Sequence, residues 1–317
     1  MQASLLDFGA IDHAGDINMD NLLKLLPELK IYPHTSPDQV LERIPDDEII
    51  ITNKVVINAE LMRQLPSLKL ICVAATGTNN VDLEAAKEHG IAVTNVTGYA
   101  TPSVVQHVFA LITALQTQLG QYTRAVQQGA WQQSKHFCLL DYPIREMAGL
   151  TFGIIGYGEL GKAVASVAEA FGMEVLISQR PGGEPTTGRV PLDTLLKESD
   201  IISLHCPLAE NTRNLIDQTA LSLMKSDALL INTARGGIVD EVALADALRS
   251  GTIGGAGFDV LTSEPPDSNP FPAQDLPNFL LTPHIAWASK ESRQRLVNEV
   301  AANIVAFMSG EYRNIVV

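Results

Sequence analysis

The sequence predicts an α/β protein built from two doubly wound parallel-sheet domains, and three observations lead there. Short apolar, strand-like runs alternate with helix-like stretches, the signature of a parallel sheet with both faces covered. This alternation occurs as two series, the second starting at Thr151. The length of 317 residues fits two domains of roughly 100–200 residues each.

The first series places strands at Ala3–Phe8, Leu29–Tyr32, Glu48–Thr52, Leu68–Ala74 and Ile91–Asn95. One helix opens at Ser36-Pro37, with serine at the N-cap and proline in the first turn. Another runs from Asp82 to His89 and stops at Gly90, a C-terminal glycine. Thr101–Gln121 reads as one long helix with Val104, Val108, Ile112, Leu115 and Leu119 on a single stripe. Its wide apolar arc fits a core helix between domains or a helix that also packs on a second subunit. Gly129–Arg145 is irregular and rich in apolar residues, as functional or interface loops often are.

The second series places strands at Thr151–Ile155, Met173–Ser178, Ile201–His205, Ala228–Asn232, Gly255–Asp259 and Phe279–Thr282. Helices fit Glu159–Phe171, Pro191–Lys197, Asp217–Met224 and Glu241–Ser250, and Ser289–Met308 is amphipathic.

Composition narrows the classes of function. Apolar residues make up 46% and charged residues 18%, which supports a packed core rather than disorder. A formal charge of −14 argues against a nucleic-acid or anionic-membrane partner. The three cysteines, Cys72, Cys138 and Cys206, form no C-x-x-C pair. This argues against a zinc framework and fits a reducing compartment. Met1–Ala10 lacks the basic and apolar regions of a secretory signal. The most apolar stretch, Val104–Leu115, is too short and too polar to span a bilayer. The expectation is a cytoplasmic protein with no metal.

Gly156-Tyr157-Gly158-Glu159-Leu160-Gly161 is a G-x-G-x-x-G between an apolar run and a helical pattern. In that context it predicts a dinucleotide site. Gly156 permits the tight turn, Gly158 admits a pyrophosphate to the backbone, and Gly161 lets helix and strand pack closely. The tip of the next strand reads Ile177-Ser178-Gln179-Arg180. No carboxylate stands there to bind a ribose 2′-hydroxyl, whereas Ser178 and Arg180 suit a 2′-phosphate. NADP(H) is therefore favoured. NAD(H), with Arg180 as a solvated loop residue, stays open.

Three further segments put functional side chains just past strand ends, where ligands bind in such sheets. Arg235 lies in Asn232-Thr233-Ala234-Arg235, Glu264 follows Phe258-Asp259-Val260, and His284 follows Thr282-Pro283. Delivering hydride from a nicotinamide to a carbonyl leaves negative charge on oxygen and requires a substrate anchor, a polarised carbonyl and a proton. A guanidinium suits the first two tasks, and an imidazole titrating near neutrality suits the third. Glu264 would hold the imidazole and raise its basicity. Singly, Glu264 and His284 would be an ordinary loop acid and a core histidine; together with Arg235 beside the glycine motif they read as catalytic. His107, His136 and His205 are read as structural.

These segments, together with Ser199–Leu208, Asn232–Asp240 and Pro283-His284, resemble the D-isomer-specific 2-hydroxyacid dehydrogenases over essentially the whole length. His284-Ile285-Ala286-Trp287-Ala288-Ser289 is similar to the branch of glycerate dehydrogenases and hydroxypyruvate reductases. The resemblance implies a Rossmann-type cofactor domain (101–284) inserted in a flavodoxin-like substrate domain (1–100 and 285–317). It implies a homodimer helped by the long helix after Thr101. It implies that Ala75, Thr76 and Gly77 bind substrate with Arg235 and His284. Glu159 and Leu160 of the glycine turn would present main-chain N–H groups to the cofactor. Cys206, Pro207, Thr233, Ala234, Asp259 and Ala286 would line its nicotinamide half. Gln179 stands where many relatives carry an NAD-selecting aspartate, which supports NADP(H).

The expected activity is NAD(P)H-dependent reduction of hydroxypyruvate or glyoxylate to the D-2-hydroxy acid. The rivals are an NAD(H)-sensing corepressor-like binding protein and a relative acting on another 2-keto acid. Formate dehydrogenase pairs its histidine with an amide, unlike Glu264 here. A phosphoglycerate dehydrogenase with a regulatory extension is disfavoured by the short stretch after His284.

Overall fold

The structure is a computed structural model that describes residues 1–266, 271 and 276–317. The chain divides into two compact units, Met1–Ala100 with Trp287–Val317, and Thr101–Ala286.

The first unit holds five strands: β1 (Ala3–Leu5), β2 (Lys30–Ile31), β3 (Ile49–Thr52), β4 (Leu70–Val73) and β5 (Ala92–Thr94). They form an all-parallel sheet in the order β2-β1-β3-β4-β5. Between them run α1 (Asp20–Leu25), α2 (Val40–Arg43), α3 (Ala59–Arg63) and α4 (Leu83–Glu88). The helix expected at Ser36-Pro37 begins as a 3-10 turn, Pro37–Gln39, closed by a capping box between Ser36 and Gln39. Asp82 caps α4 by accepting the Ala85 N–H, and Gly90 past its end has φ +67°. Residues alternate across the sheet. Leu5, Ile49, Ile51, Leu70 and Cys72 pack on one face, and Ile50, Ile71, Val73 and Val93 on the other. Both faces are covered, as a parallel sheet requires.

The second unit opens with α5 (Thr101–Gln116) and α6 (Leu119–Gln127). The sequence predicts one helix here, and the structure corrects this. Gln118 takes φ +53°, in the left-handed region. The Gln116 carbonyl leaves the helical ladder and accepts the Arg145 N–H instead. Leu119, the last member of the predicted stripe, is 59% exposed. The break turns Tyr122 toward the irregular segment, where its hydroxyl donates to the Tyr142 carbonyl at 2.7 Å and the two rings meet edge to face.

The rest of the unit is β6 (Thr151–Ile155), α7 (Glu159–Ala170), β7 (Glu174–Ile177), α8 (Leu192–Glu198), β8 (Ile201–Leu204), α9 (Gln218–Leu223), β9 (Leu229–Asn232), α10 (Glu241–Ser250), β10 (Gly255–Phe258) and β11 (Phe279–Leu281). The six strands are parallel in the order β11-β10-β9-β8-β6-β7. After β6 the chain moves outward to β7, then crosses to β8 on the other side. The switch point therefore lies between β6 and β8, where ligands bind in doubly wound sheets. The final helix, α11 (Lys290–Met308), is capped by Ser289. It lays Leu296, Val300 and Ile304 on the β4 face of the first unit.

Candidate active site

The glycine turn joins β6 to α7. Gly156 has φ +98°, and a Cβ there would lie 2.5 Å from the Cys206 nitrogen and the His205 carbonyl carbon. No L-residue fits both constraints. A Cβ on Gly161 would meet the Gly156 carbonyl oxygen at 2.1 Å, so helix and turn are in direct contact. A Cβ on Gly158, at the helix N-cap, would meet nothing within 4 Å. The open side of the turn therefore faces away from the protein, with the positive end of α7 behind it. This suits a pyrophosphate. The Glu159 carboxylate does not crowd the turn, because it accepts a 2.6 Å bond from Thr101 Oγ1.

Past β7, Ser178 is buried, Gln179 half-buried and Arg180 exposed. Ser178 forms a parallel bridge with Val190, which extends the sheet edge by one residue. Of the three, Arg180 is the one most open to a ligand.

β8 and β9 form the floor beside the turn. Cys206 is 7% exposed, and burial pushes its thiol pKa up. It offers shape rather than a thiolate. Asn232, 1% exposed, organises the turn after β9: its Oδ1 accepts the Ala234 N–H and its Nδ2 donates to the Arg235 carbonyl. The hydroxyl of Thr233 in this turn is buried without a hydrogen-bond partner. Such a group calls for a polar ligand or water. Arg235 donates from Nη1 to the Ala234 carbonyl at 2.7 Å. Among the described residues no carboxylate lies within ion-pair distance of it. A half-buried guanidinium in that state suits an anion.

The loops past β10 and β11 carry a carboxylate–imidazole pair. Glu264 Oε2 lies 2.6 Å from His284 Nδ1, and Glu264 Oε1 accepts the Leu261 N–H at 2.8 Å. The carboxylate is thus tied on one side and orients the imidazole on the other. Both side chains are about one-third exposed, 30% for His284 and 33% for Glu264. His284 has φ +56°, a conformation that costs a non-glycine residue about 1–3 kcal/mol. Its neighbours hold it there. Asp259, 1% exposed, accepts Ile285 N–H and Thr282 Oγ1–H at Oδ1, and Ala286 N–H at Oδ2. These bonds turn the Asp259 carboxylate to holding the His284 turn. Ala286 is 3% exposed, and its carbonyl accepts from Ser103, so both its main-chain polar groups are engaged.

In the first unit, Ala75, Thr76 and Gly77 follow the end of β4. Asn53 Nδ2 donates to the Ala74 carbonyl, Asn95 Nδ2 to the Thr76 carbonyl, and Thr76 Oγ1 to the Val96 carbonyl. The loop is shaped by its carbonyls and by one hydroxyl. Sequence reasoning does not single out Asn53, Asn95 or Asn232; an asparagine just past a strand end is the one signal that could have found them. Trp287 packs on the first unit's core, edge to face with Tyr99.

Among the described residues no group of histidine, cysteine or acidic side chains is arranged to hold a metal, and no helix is long and apolar enough to cross a membrane.

The NAD-binding-domain model of the D-isomer specific 2-hydroxyacid dehydrogenases matches residues 109–286. A glycerate dehydrogenase of Methylorubrum extorquens is 50% identical over 291 residues, 91% of this chain and 92% of that protein. A hydroxypyruvate reductase of Blautia hydrogenotrophica is 38% identical over 323 residues, 100% of this chain and 99% of that one. The solved D-lactate dehydrogenase of Aquifex aeolicus, complexed with NAD and lactic acid, is 30% identical with a TM-score of 0.83, covering 100% of this chain and 99% of that one. A family model over more than half of the chain, near-full-length relatives and a glycine turn open to a dinucleotide agree. The chain belongs to the D-isomer-specific 2-hydroxyacid dehydrogenases, enzymes that work with a nicotinamide cofactor.

Proposed function

We propose that this enzyme reduces hydroxypyruvate and glyoxylate to D-glycerate and glycolate, with Arg235, Glu264 and His284 as its catalytic residues. The observation that carries the reading is the 2.6 Å contact between Glu264 and His284 Nδ1, in the same unit as a guanidinium that has no carboxylate partner among the described residues. The names of the glycerate dehydrogenase and hydroxypyruvate reductase relatives support the substrate class.

Arg235 binds the substrate carboxylate and draws electron density from the keto oxygen. The N–H groups of the loop at Ala75, Thr76 and Gly77 take up the carboxylate as well. With Nδ1 committed to Glu264, His284 transfers its Nε2 proton to the oxygen as the carbonyl carbon is reduced, and ends neutral. Oxidation of the hydroxy acid runs the same transfer backwards. Reduced nicotinamide supplies the hydride. Gly156, Gly158, Glu159, Leu160 and Gly161 hold its pyrophosphate. Cys206, Pro207, Thr233 and Ala234 line the nicotinamide half, with Asp259 and Ala286 shaping that wall from behind. The orphaned Thr233 hydroxyl and the open Gly158 side fit such a ligand.

NADP(H) is the favoured coenzyme, because Ser178, Gln179 and Arg180 put a cation and no carboxylate at the β7 tip. NAD(H) remains usable through the same turn. The cytoplasm is the compartment in which buried, unbridged Cys72 and Cys206 stay reduced. The partner is a second copy of this chain. Leu119, Val126, Trp131, Phe137, Leu140 and Ile144 are exposed apolar side chains on α6 and the segment after it. A homodimer in solution is the expected outcome of light scattering.

The test is initial rates for hydroxypyruvate, glyoxylate, pyruvate and phenylpyruvate, each with NADH and NADPH, for the wild type and His284→Gln. The expected result is turnover of the first two and a loss of about 10²–10⁴-fold in His284→Gln, with coenzyme binding retained. Coenzyme binding with no turnover of any keto acid would make the chain a binding protein instead. Wild-type turnover in His284→Gln would remove the proton donor.

A further inference from the structure

Two side chains on one face of α5 hold the turn that carries His284. Ser103 and His107 stand one helical turn apart. Ser103 Oγ donates to the Ala286 carbonyl at 2.6 Å, and His107 Nε2 lies 2.8 Å from Thr282 Oγ1. Counting protons gives the direction of the second bond. Thr282 has one hydroxyl proton, and its short 2.5 Å contact to Asp259 Oδ1 takes it. The Thr282 oxygen is then an acceptor toward His107, so His107 Nε2 carries hydrogen. The same His107 nitrogen lies 3.6 Å from Asp259 Oδ1, where its positive end also favours the carboxylate.

The network runs from His107 through Thr282 to Asp259, and from Asp259 to the N–H groups of Ile285 and Ala286. It brackets His284, whose left-handed backbone must be held by its surroundings. A histidine that only filled space on a helix would need no such partners. We propose that His107 is a positioning residue for the proton donor. By bonding the Thr282–Asp259 pair it fixes the turn at 282–286, which keeps the His284 ring on Glu264 and its Nε2 aimed at the substrate oxygen. Ser103 fixes the far end of the same turn. The proposal rests on the reading of His284 as the proton donor.

Misplacing a reacting group by about 1 Å can cost on the order of 10²-fold. His107→Phe keeps the bulk and removes the donor. Its kcat for hydroxypyruvate is expected to fall about 10- to 100-fold, while KM and the coenzyme dissociation constant stay within about threefold. His107→Gln returns an N–H toward Thr282 and should recover most of the loss. The solvent deuterium isotope effect on kcat should rise in His107→Phe and return in His107→Gln, because proton delivery becomes slower only in the first. A purely structural role would move melting temperature and coenzyme affinity together and leave the isotope effect unchanged.

A folded His107→Phe with wild-type kcat overturns the proposal. So does a loss that His107→Gln fails to recover. If His107→Phe does not fold, Thr282→Val and Ser103→Ala cut the same network; wild-type kcat in both overturns it. His284→Gln measured alongside separates the two levels. Wild-type turnover there sinks the proton-donor reading and this proposal with it, whereas a deep loss there beside an unaffected His107→Phe sinks this proposal alone.

Discussion

Each unit places a buried aspartate just past the end of a strand, and the two aspartates do similar work. Past β1, Asp7 accepts the main-chain N–H groups of Asn53 and Lys54. Past β10, Asp259 accepts those of Ile285 and Ala286. In both units a carboxylate that would be costly to bury alone is satisfied by loop donors, and the loop is fixed in exchange. The fixed loops carry different chemistry. In the first unit the fixed loop bears an amide, Asn53, which passes the order on to Ala74, and a second amide past β5, Asn95, holds Thr76. In the second unit the fixed turn carries an imidazole braced by a carboxylate, and a neighbouring turn carries a guanidinium. The comparison teaches that the shared architecture supplies placement. Chemistry depends on which side chains the strand ends carry, and here the second unit holds the groups able to move a proton and bind an anion.

The sharpest way to break that division is Arg235→Ala. If the second unit holds the anion-binding group, both kcat and KM suffer, and kcat/KM falls by roughly 10²-fold, the equivalent of one strong charge-assisted hydrogen bond. Steady-state kinetics with hydroxypyruvate check it. An unchanged KM would move the carboxylate anchor to the first unit.

Not every titratable group in the second unit belongs to the proposed reaction, and His205 marks the contrast. It lies half-buried at the end of β8 with its Nδ1 shielded from solvent, where burial lowers its pKa from 6.5 to about 4, and its Nε2 lies 2.9 Å from Ser203 Oγ. Unfolded chains bind a proton there below pH 6.5, and the folded chain does not until about pH 4. Stability from this group is therefore complete above pH 6.5 and is lost as pH falls toward 4. The loss reaches about 3 kcal/mol. Urea unfolding near pH 7 and about pH 4.5 should show that drop in the wild type. His205→Gln should flatten it.

The first unit answers to a milder change. Asn53→Ala removes the bond to the Ala74 carbonyl and leaves that buried acceptor unsatisfied, at a cost of about 1–3 kcal/mol. If the loop at 75–77 serves binding only, KM for the keto acid rises about tenfold while kcat holds. A fall in kcat with constant KM would show that the first unit shares in the chemistry.

Much of this is legible in the sequence. The alternation of apolar runs with helical stretches reveals both sheets, because strands buried on two faces leave a pattern that packing does not disguise. The glycine turn is legible because close approach, as at Gly156 and Gly161, admits no other residue. The end of the long helix is not. Its stripe continues to Leu119, and nothing local announces that the Gln116 carbonyl is taken by the Arg145 N–H. The roles of His107 and Asn232 are hidden for a related reason. Each works through a bond to a residue whose position depends on tertiary structure. His107 meets Thr282, 175 residues away, and on helical periodicity alone it is one more side chain of α5.

The smallest expected effect concerns the coenzyme, and it sharpens the comparison within the second unit itself. The glycine turn is indifferent to the 2′ position, because a pyrophosphate is common to both coenzymes. Any preference must arise at the tip of β7, where Arg180 is exposed and Ser178 is buried. An exposed cation beside a phosphate in water is worth about 1 kcal/mol, so Arg180→Ala should weaken NADPH about fivefold and leave NADH nearly unchanged. Salt should shrink the difference, because screening acts on exposed charges. Fluorescence titration of both coenzymes at low and high ionic strength measures it. Equal losses for the two would mean that Arg180 supports the loop rather than the 2′-phosphate. Discrimination would then lie with Ser178 and Gln179, or would be absent.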